Sequence, residues 1–504
     1  MELNKMPFFG RIYELIFINK QFGPGEVIAL FIALSVIMIS IVIFYENQRP
    51  EKTIAWLLIL FVFPLLGFIL YLIFGHKFRK IKKYKKKKLL SIKEFKTVFE
   101  RERINFVEPL EYIDKNIPDK KKLITLLHNM EDSQLSYRNS TEIFTDGKNT
   151  FDDFVAEINK AESHIHMEFY IFRDDETGKR IQRHLIKKAQ EGIEVRIIYD
   201  GMGNIQISKD FINEFTKNGI QAICFSPVIF PIINNRINYR NHRKILVIDG
   251  KIAYIGGFNI GKEYEGNYEG IKVWRDTHLK ISGEGAKHLQ NVFIDDWYYL
   301  TNESLKNEKY FPAIYHSEET EKAVMQIVKG GPDSEWESIM QMYFAMVSTA
   351  RKNIFITTPY FVPNESLLMA ITNAALSGID VRILIPGKSD YVIMTLASSS
   401  YIKELLEAGV RVYEYDKESF VHAKTIVIDG EVSSVGTANL DVRSFSMNFE
   451  INAFIYNKKL AQELEKAFYC DLESAKEITL EDIERKKIPR ILLESWAKLF
   501  SPLL

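Results

Sequence analysis

The feature that most limits how this chain can fold is a pattern it carries twice. Residues 241–249 read "NHRKILVID" and residues 421–429 read "VHAKTIVID", so a histidine, a lysine two positions on and an aspartate five further recur at an offset of 180 (His242 to His422). The surroundings repeat as well. "AESHIHMEFYIF" (161–172) has a counterpart in "ARKNIFITTPYFV" (350–362), and "GIEVRIIYD" (192–200) has one in "GIDVRILIP" (378–386), with a helical segment between the members of each set. A unit of about 180 residues present only twice is too long and too few for a solenoid, which leaves a duplicated domain. Strands alternating with amphipathic helices from about Ile143 onward make each copy α/β.

Within each copy the motif predicts a β-hairpin. Asp249-Gly250 and Asp429-Gly430 stand between apolar runs, the strongest short-range hairpin signal, and strand side chains two apart share a face. His242 and Lys244 therefore project together, as do His422 and Lys424. Past each aspartate, with six residues between, comes a glycine, and then "GFN" or "TAN": Gly256, Gly257 and Asn259, or Gly436, Thr437 and Asn439. Small residues and an amide suit close approach of an anion to the backbone, and phosphate is the candidate. One H-x-K-x4-D would arise by chance with an expectation of about 0.06 in a chain of this kind, but the glycine, the asparagine and a second copy make coincidence negligible. Asp249 and Asp429 join the candidate catalytic set behind the histidines and lysines, since an aspartate also suits a turn on conformational grounds alone. His164, His166 and His278 lie in strand-like segments and are expected to be packed or exposed without chemistry.

These residues resemble the phospholipase D superfamily, whose paired motifs read H-x-K-x4-D-x6-G-[ST]-x-N. The resemblance covers most of residues 143–470. Within the superfamily the chain is most similar to the bacterial cardiolipin synthases, on "YRNHRKILVIDGKIAYIGGFNIGKEY", "WRDTH" (274–278), "PYFVP" (359–363) and "NQRPEKTIAWLL". It departs from the superfamily at Gly257, where serine or threonine is general, and the cardiolipin synthases share that departure. The fold so implied is two similar phospholipase D-like α/β sandwich domains forming a pseudo-twofold unit, 143–315 and 316–475.

The implied reaction moves a phosphatidyl group from one phosphatidylglycerol to the hydroxyl of another, giving cardiolipin and glycerol through a phosphohistidine. Sequence symmetry leaves open which histidine is the nucleophile; the resemblance makes it His242, with His422 as acid and base. Lys244, Lys424, Asn259, Asn439, Gly257 and Thr437 would hold the non-bridging oxygens, and no metal or cofactor is called for. An orienting acid beside each imidazole is the usual arrangement, and Asp276 and Glu450 occupy corresponding places after the two motifs. Water as acceptor would make the chain a phospholipase D, and serine a phosphatidylserine synthase. More distant rivals are a nuclease and a lipid-binding scaffold without activity.

The first residues place this chemistry. Val27–Tyr45 and Thr53–Phe74 are uncharged and near the ~20 residues that cross a bilayer, so residues 1–76 are expected to form a transmembrane helical hairpin. A basic run from Lys77 to Lys88 opens the juxtamembrane and connector segment 77–142, and by the positive-inside rule it sets everything after it in the cytoplasm. The formal net charge of zero hides that run, which attracts anionic membrane lipids. Because the basic residues cluster beside the membrane and not in the repeat, no nucleic-acid partner is expected. Cys224 and Cys470 are too few for a disulfide framework or a cysteine-rich zinc site, and no P-loop, GxGxxG or HExxH is present. The tail 476–504 reads as amphipathic, either packed on the domain or laying Leu492, Trp496, Leu499 and Phe500 on the bilayer. Oligomers are compatible with the sequence, which fixes no symmetry.

Overall fold

The computed structural model describes residues 118–131, 133–227, 239–268, 270–305, 307–313, 323–388 and 391–501, together with residues 25, 33, 35–43, 50–63, 67, 71 and 115. The described residues fall into two compact units, one within the first 79 residues and one after them. In the first, residues 35–43 are helical and a helix spans Pro50–Val62. Val42, Leu60 and Tyr71 form its small core, with Trp56 edge-on to Tyr71, while Ile54, Leu58, Phe61 and Phe63 stay exposed. The expected spans are only partly covered by the described residues, among which no helix is long and apolar enough to cross a membrane. The basic run from Lys77 lies outside them.

The second unit is built on one sheet. Its strands are β1 (Leu135–Asp146), β2 (His164–Phe169), β3 (Glu194–Asp200), β4 (Gln221–Phe225), β5 (Lys244–Ile248), β6 (Ile252–Gly256), β7 (Trp274–Gly283) and β8 (Ala323–Gly330). There follow β9 (Asn353–Thr357), β10 (Phe361–Val362), β11 (Asp380–Pro386), β12 (Arg411–Tyr415), β13 (Phe420–Val421), β14 (Thr425–Ile428), β15 (Val432–Gly436), β16 (Leu440–Asp441), β17 (Glu450–Tyr456) and β18 (Ala475–Glu477). Among the described residues the order is β18-β12-β11-β9-β14-β15-β17-β8-β1-β7-β6-β5-β2-β3-β4, with β13 on β7 and a separate parallel pair β10-β16. The order is nearly the same read from either end, with β1 answering to β8 and β7 to β17. The two halves thus share one continuous sheet, joined where β1 pairs antiparallel with β8. Strand β1 already begins at Leu135, inside the expected connector, because its register with β8 and β7 is set by that junction.

Helices cover both faces, which is why β5, β14 and β17 are buried along their whole length; β5 and β14 read as apolar runs after their first residue, while β17 carries Glu450 and Asn452 among its apolar residues. Gly147–Lys160 starts where the Asp146 carboxylate accepts the Asn149 N–H at 2.8 Å, satisfying a donor the helix leaves free. Phe151, Phe154 and Ile158 of that helix pack on Ile165, Met167 and Leu246. At the centre, Ile245, Val247 and Ile255 of the first half share a core with Val427, Val435 and Ile451 of the second. The C-terminal helix Ile488–Leu499 docks on Val392–Glu407: Ala497 is fully buried and Tyr401 Oη lies 3.0 Å from Ser501 Oγ. Its other side leaves Ile488, Leu492, Trp496 and Leu499 exposed.

Both Asp-Gly pairs form the expected turns, with Asp249 and Asp429 at φ 55° and 57° and each following glycine at 64°. The Asp249 carboxylate accepts the backbone N–H groups of Glu162, Ser163 and His164 at 2.9, 2.7 and 2.9 Å. Asp429 does the same for Arg351 and Lys352 at 2.9 and 2.8 Å, and Lys120 Nζ adds a buried ion pair at 2.9 Å. Each aspartate thereby staples its hairpin to the chain entering the neighbouring strand. Replacing Asp249 by alanine strands these donors and is expected to cost about 2–3 kcal/mol of stability. Urea unfolding checks this, and turnover per folded molecule should change far less than it does in His242→Ala.

Candidate active site

Each motif histidine sits at the end of its hairpin where the other half closes over it. The His242 N–H donates to the Phe449 carbonyl at 2.9 Å, and the Phe449 N–H donates to the Arg240 carbonyl at 2.8 Å. Across the pseudo-axis the His422 N–H donates to the Arg275 carbonyl at 2.7 Å, while β13 runs parallel to the start of β7. These backbone clamps bring in the acids by exchange. His242 Nδ1 lies 2.9 Å from Glu450 of the second half, and His422 Nδ1 lies 2.6 Å from Asp276 of the first. Both carboxylates are wholly buried, whereas the two imidazoles keep 13% and 10% of their side-chain surface open. With Nδ1 held by an acid, the tautomer and orientation of each ring are set from that side.

The lysines complete one charge cluster. Lys244 Nζ donates to the His242 carbonyl at 2.8 Å, and Lys424 Nζ lies 2.7 Å from His422 Nδ1 and 4.0 Å from Asp276. Burial pushes the Lys244 ammonium down to about 7, with Glu450 opposing and Lys424 adding to the fall. Burial likewise lowers His242; Glu450 opposes this, and Lys244 and Lys424 reinforce it. Burial would raise Glu450 and Asp276, but their neighbours more than offset it: His242 and Lys244 for the one, Lys424 and His422 for the other. The pocket therefore holds two ionised carboxylates, a His242 that burial inclines to the neutral form and a lysine poised to gain a proton.

Aromatic walls stand beside both imidazoles. Tyr170 meets His242 edge-on at 5.0 Å between ring centroids, and Trp274 lies 5.4 Å from His422, with Phe420 stacked at 5.8 Å. Neither Tyr170 nor Trp274 is singled out by motif spacing. Trp274 has a signal nonetheless, since it stands two residues before Asp276 and shares its strand face.

Several expected members lie elsewhere or act differently. Asp249 and Asp429 do not join the cluster: they occupy the far turn of each hairpin, and their carboxylates are spent on backbone N–H groups. Gly257 and Thr437 do not present donors to a phosphate either. Their N–H groups donate to the Thr277 and Ile451 carbonyls, both at 2.9 Å, and the Thr437 hydroxyl donates to Glu450 at 2.6 Å. Asn259 accepts the Ile171 N–H and donates to Tyr264 Oη, which leaves one amide hydrogen. Asn439 bonds Asp441, and its Oδ1 is buried without a partner. Gly256 and Gly436 are needed for strand approach, since a Cβ on either would come within 2.5 Å of β7 or β17. His164, His166 and His278 are buried, the last against Phe154 and Phe258. Among the described residues no cluster of His, Cys, Asp and Glu could hold a metal ion.

Two family models match the chain. The one described as cardiolipin synthase, PLD-like domain, matches twice, over residues 154–297 and 343–472, and a phospholipase D-nuclease N-terminal model matches residues 33–76. The cardiolipin synthase of Halalkalibacterium halodurans is 42% identical over 506 aligned residues, covering 100% of this chain and 99% of its own. That of Geobacillus kaustophilus is 43% identical, covering 97% of each chain, and that of Listeria welshimeri 44%, covering 95% and 98%. Among solved structures, the phosphatidylserine synthase of Haemophilus influenzae superposes with a TM-score of 0.58 at 17% identity, over 77% of this chain and 100% of its own.

The depressed lysine makes a thermodynamic signature. At pH 8 a Lys244 titrating near 7 is mostly neutral, and a bound phosphodiester anion restores its charge, so binding takes up ~0.9 proton. Calorimetry with a soluble phosphodiester in buffers of different ionisation heat should show that uptake, and Lys244→Met should abolish it. Binding without proton uptake would mean Lys244 is charged before the anion arrives. The crossed histidine–acid pairs, the buried lysines and the full-length likeness to three named relatives agree: the chain belongs to the cardiolipin synthase family of phospholipase D-like proteins.

Proposed function

We infer that this chain is a cardiolipin synthase that joins two phosphatidylglycerol molecules by a two-step phosphatidyl transfer at the paired histidines. The observation that carries this reading is the exchange of acids, because it holds two imidazoles by Nδ1 beside buried lysines. In the first step His242 Nε2 attacks phosphorus, the bond to the terminal glycerol oxygen breaks, and His422 gives its proton to that alkoxide. In the second, His422 takes the proton from the free hydroxyl of another phosphatidylglycerol. The oxygen attacks phosphorus, and the phosphorus–nitrogen bond breaks to return His242 and release cardiolipin. Glycerol is the other product. His242 suits the nucleophile because burial, with Lys244 and Lys424, keeps it neutral and its lone pair available. Lys244, Lys424 and the remaining amide hydrogens of Asn259 and Asn439 would meet the charge that grows on the non-bridging oxygens. Glu450 and Asp276 hold the ring orientations and stabilise each imidazolium as it forms.

Placement at a membrane follows from the substrate and from the N-terminal segment. Exposed Ile54, Leu58 and Phe61 on Pro50–Val62, with Phe63 just after it, favour lipid contact, and the family-model match at residues 33–76 ends where the basic run begins. Such a run gains about 1 kcal/mol per basic residue near an anionic leaflet and favours a cytoplasmic active site. Tethering raises the effective concentration of diacyl substrates at the site. Leu492, Trp496 and Leu499, exposed on the last helix, offer an apolar face of the kind that lies on a bilayer.

Purified protein in detergent, given phosphatidylglycerol alone and no added metal, should produce cardiolipin and glycerol in equal amounts, with turnover lost in His422→Ala. Phosphatidic acid in place of cardiolipin would make water the acceptor and the chain a hydrolase. Absence of both products would remove phosphatidylglycerol as the donor.

A further inference from the structure

The two histidine–acid pairs are not equivalent, and the difference begins at the residue after each motif glycine. In the second half that residue is Thr437, whose hydroxyl donates to Glu450 Oε2 at 2.6 Å, the same oxygen that faces His242 at 2.9 Å. Asn448 Nδ2 holds the other oxygen at 3.1 Å. In the first half the residue is Gly257 and the acid is an aspartate, one methylene shorter. Its carboxylate sits where a side chain at 257 would begin: a Cβ on Gly257 would lie 1.9 Å from Asp276 Oδ1, 2.4 Å from Cγ and 2.5 Å from Oδ2. These atoms are the nearest neighbours of that position, and no backbone atom is nearer. A longer acid with a threonine beside it and a shorter acid with a glycine beside it are therefore two solutions to one packing problem.

We propose that Gly257 and Asp276 form a size-matched pair, as Thr437 and Glu450 do, and that Gly257 is a positioning residue for His422 because it alone leaves room for the carboxylate that holds the ring. The contact that must yield to a side chain at 257 is a single rotatable carboxylate. Rotating it gives up the 2.6 Å contact with His422 Nδ1 and the Thr277 N–H bond at 2.7 Å, while the strands on either side keep their pairing. A β-branched residue at 257 should thus leave the fold standing and disarm the imidazole that protonates the leaving alkoxide. The shortage is local to the first half, since in the second half the threonine is itself a partner of the acid.

This inference rests on the phosphatidyl-transfer reading above, so its test pairs turnover with a readout independent of substrate. In the full-length protein Gly257→Thr should lower kcat for cardiolipin formation about 100-fold, the scale of an ångström-sized misplacement, with KM little changed and the unfolding midpoint close to that of wild type. The double variant Gly257→Thr/Asp276→Glu rebuilds the arrangement of the second half and should recover at least about tenfold of that loss. In parallel, the downfield proton resonance of His422 Nδ1–H bound to Asp276, identified by its loss in His422→Ala, should vanish in Gly257→Thr and return in the double variant. An unchanged resonance in Gly257→Thr overturns the pairing whatever the enzyme acts on, as does a double variant no better than Gly257→Thr alone. Wild-type protein that forms no cardiolipin while its variants show the expected resonances would overturn the substrate reading and leave the pairing intact.

Discussion

Everything at the centre of this molecule depends on one exchange: each half supplies the acid for the other half's histidine. Glu450 reaches His242 and Asp276 reaches His422, and in both places the main chain beside the acid also binds the main chain of the histidine. A carboxylate taken wholly out of water is tolerated only when opposite charge and hydrogen bonds replace its hydration. Here the replacements come from both halves at once, so neither half can satisfy its own buried acid. The site and the interface are the same structure.

The same economy runs behind the site. Arg243, between the histidine and lysine of the first motif, points away from them and is fully buried. Its guanidinium pairs with Asp296 of the first half, donates to the Glu450 carbonyl at 3.2 Å and lies over the Phe449 ring. Glu168 is buried beside Asp296, and burial, with that neighbour, pushes its carboxyl well up. Removing one partner of such a group typically costs ~3–5 kcal/mol, so the segment 240–244 is held by contacts to both halves.

Local chemistry was readable from the sequence and long-range pairing was not. The Asp-Gly turns, the shared face of histidine and lysine, and the duplicated α/β plan all follow from period-two alternation and turn conformations, which neighbours in sequence determine. Asp276 and Glu450 could be singled out by their equivalent positions, but nothing in the spacing says that each crosses to the other half, because that depends on β1 pairing with β8 some 190 residues away in the chain. Asp249 and Asp429 mislead for the complementary reason. A motif records which residues recur, and a staple that fixes a hairpin recurs as faithfully as a nucleophile. Gly257 and Thr437 belong with them: small residues beside a histidine motif suggested an anion cradle, and the anion they accommodate is the protein's own carboxylate.

Duplication alone would yield two identical histidines, yet phosphatidyl transfer asks one ring to be neutral and attack while the other is protonated and gives its proton away. A symmetric dimer of single halves would also exchange acids across its axis, but it would hold both imidazoles in the same surroundings. Joining the halves in one chain allows them to diverge. Glu450 faces His242 and accepts from the Thr437 hydroxyl and the Asn448 amide, whereas Asp276 faces His422, accepts the Thr277 N–H and lies 4.0 Å from the Lys424 ammonium. The two acids thus have partners of different kinds, and the imidazoles they hold stand in different surroundings, which a division of labour between a base and an acid requires.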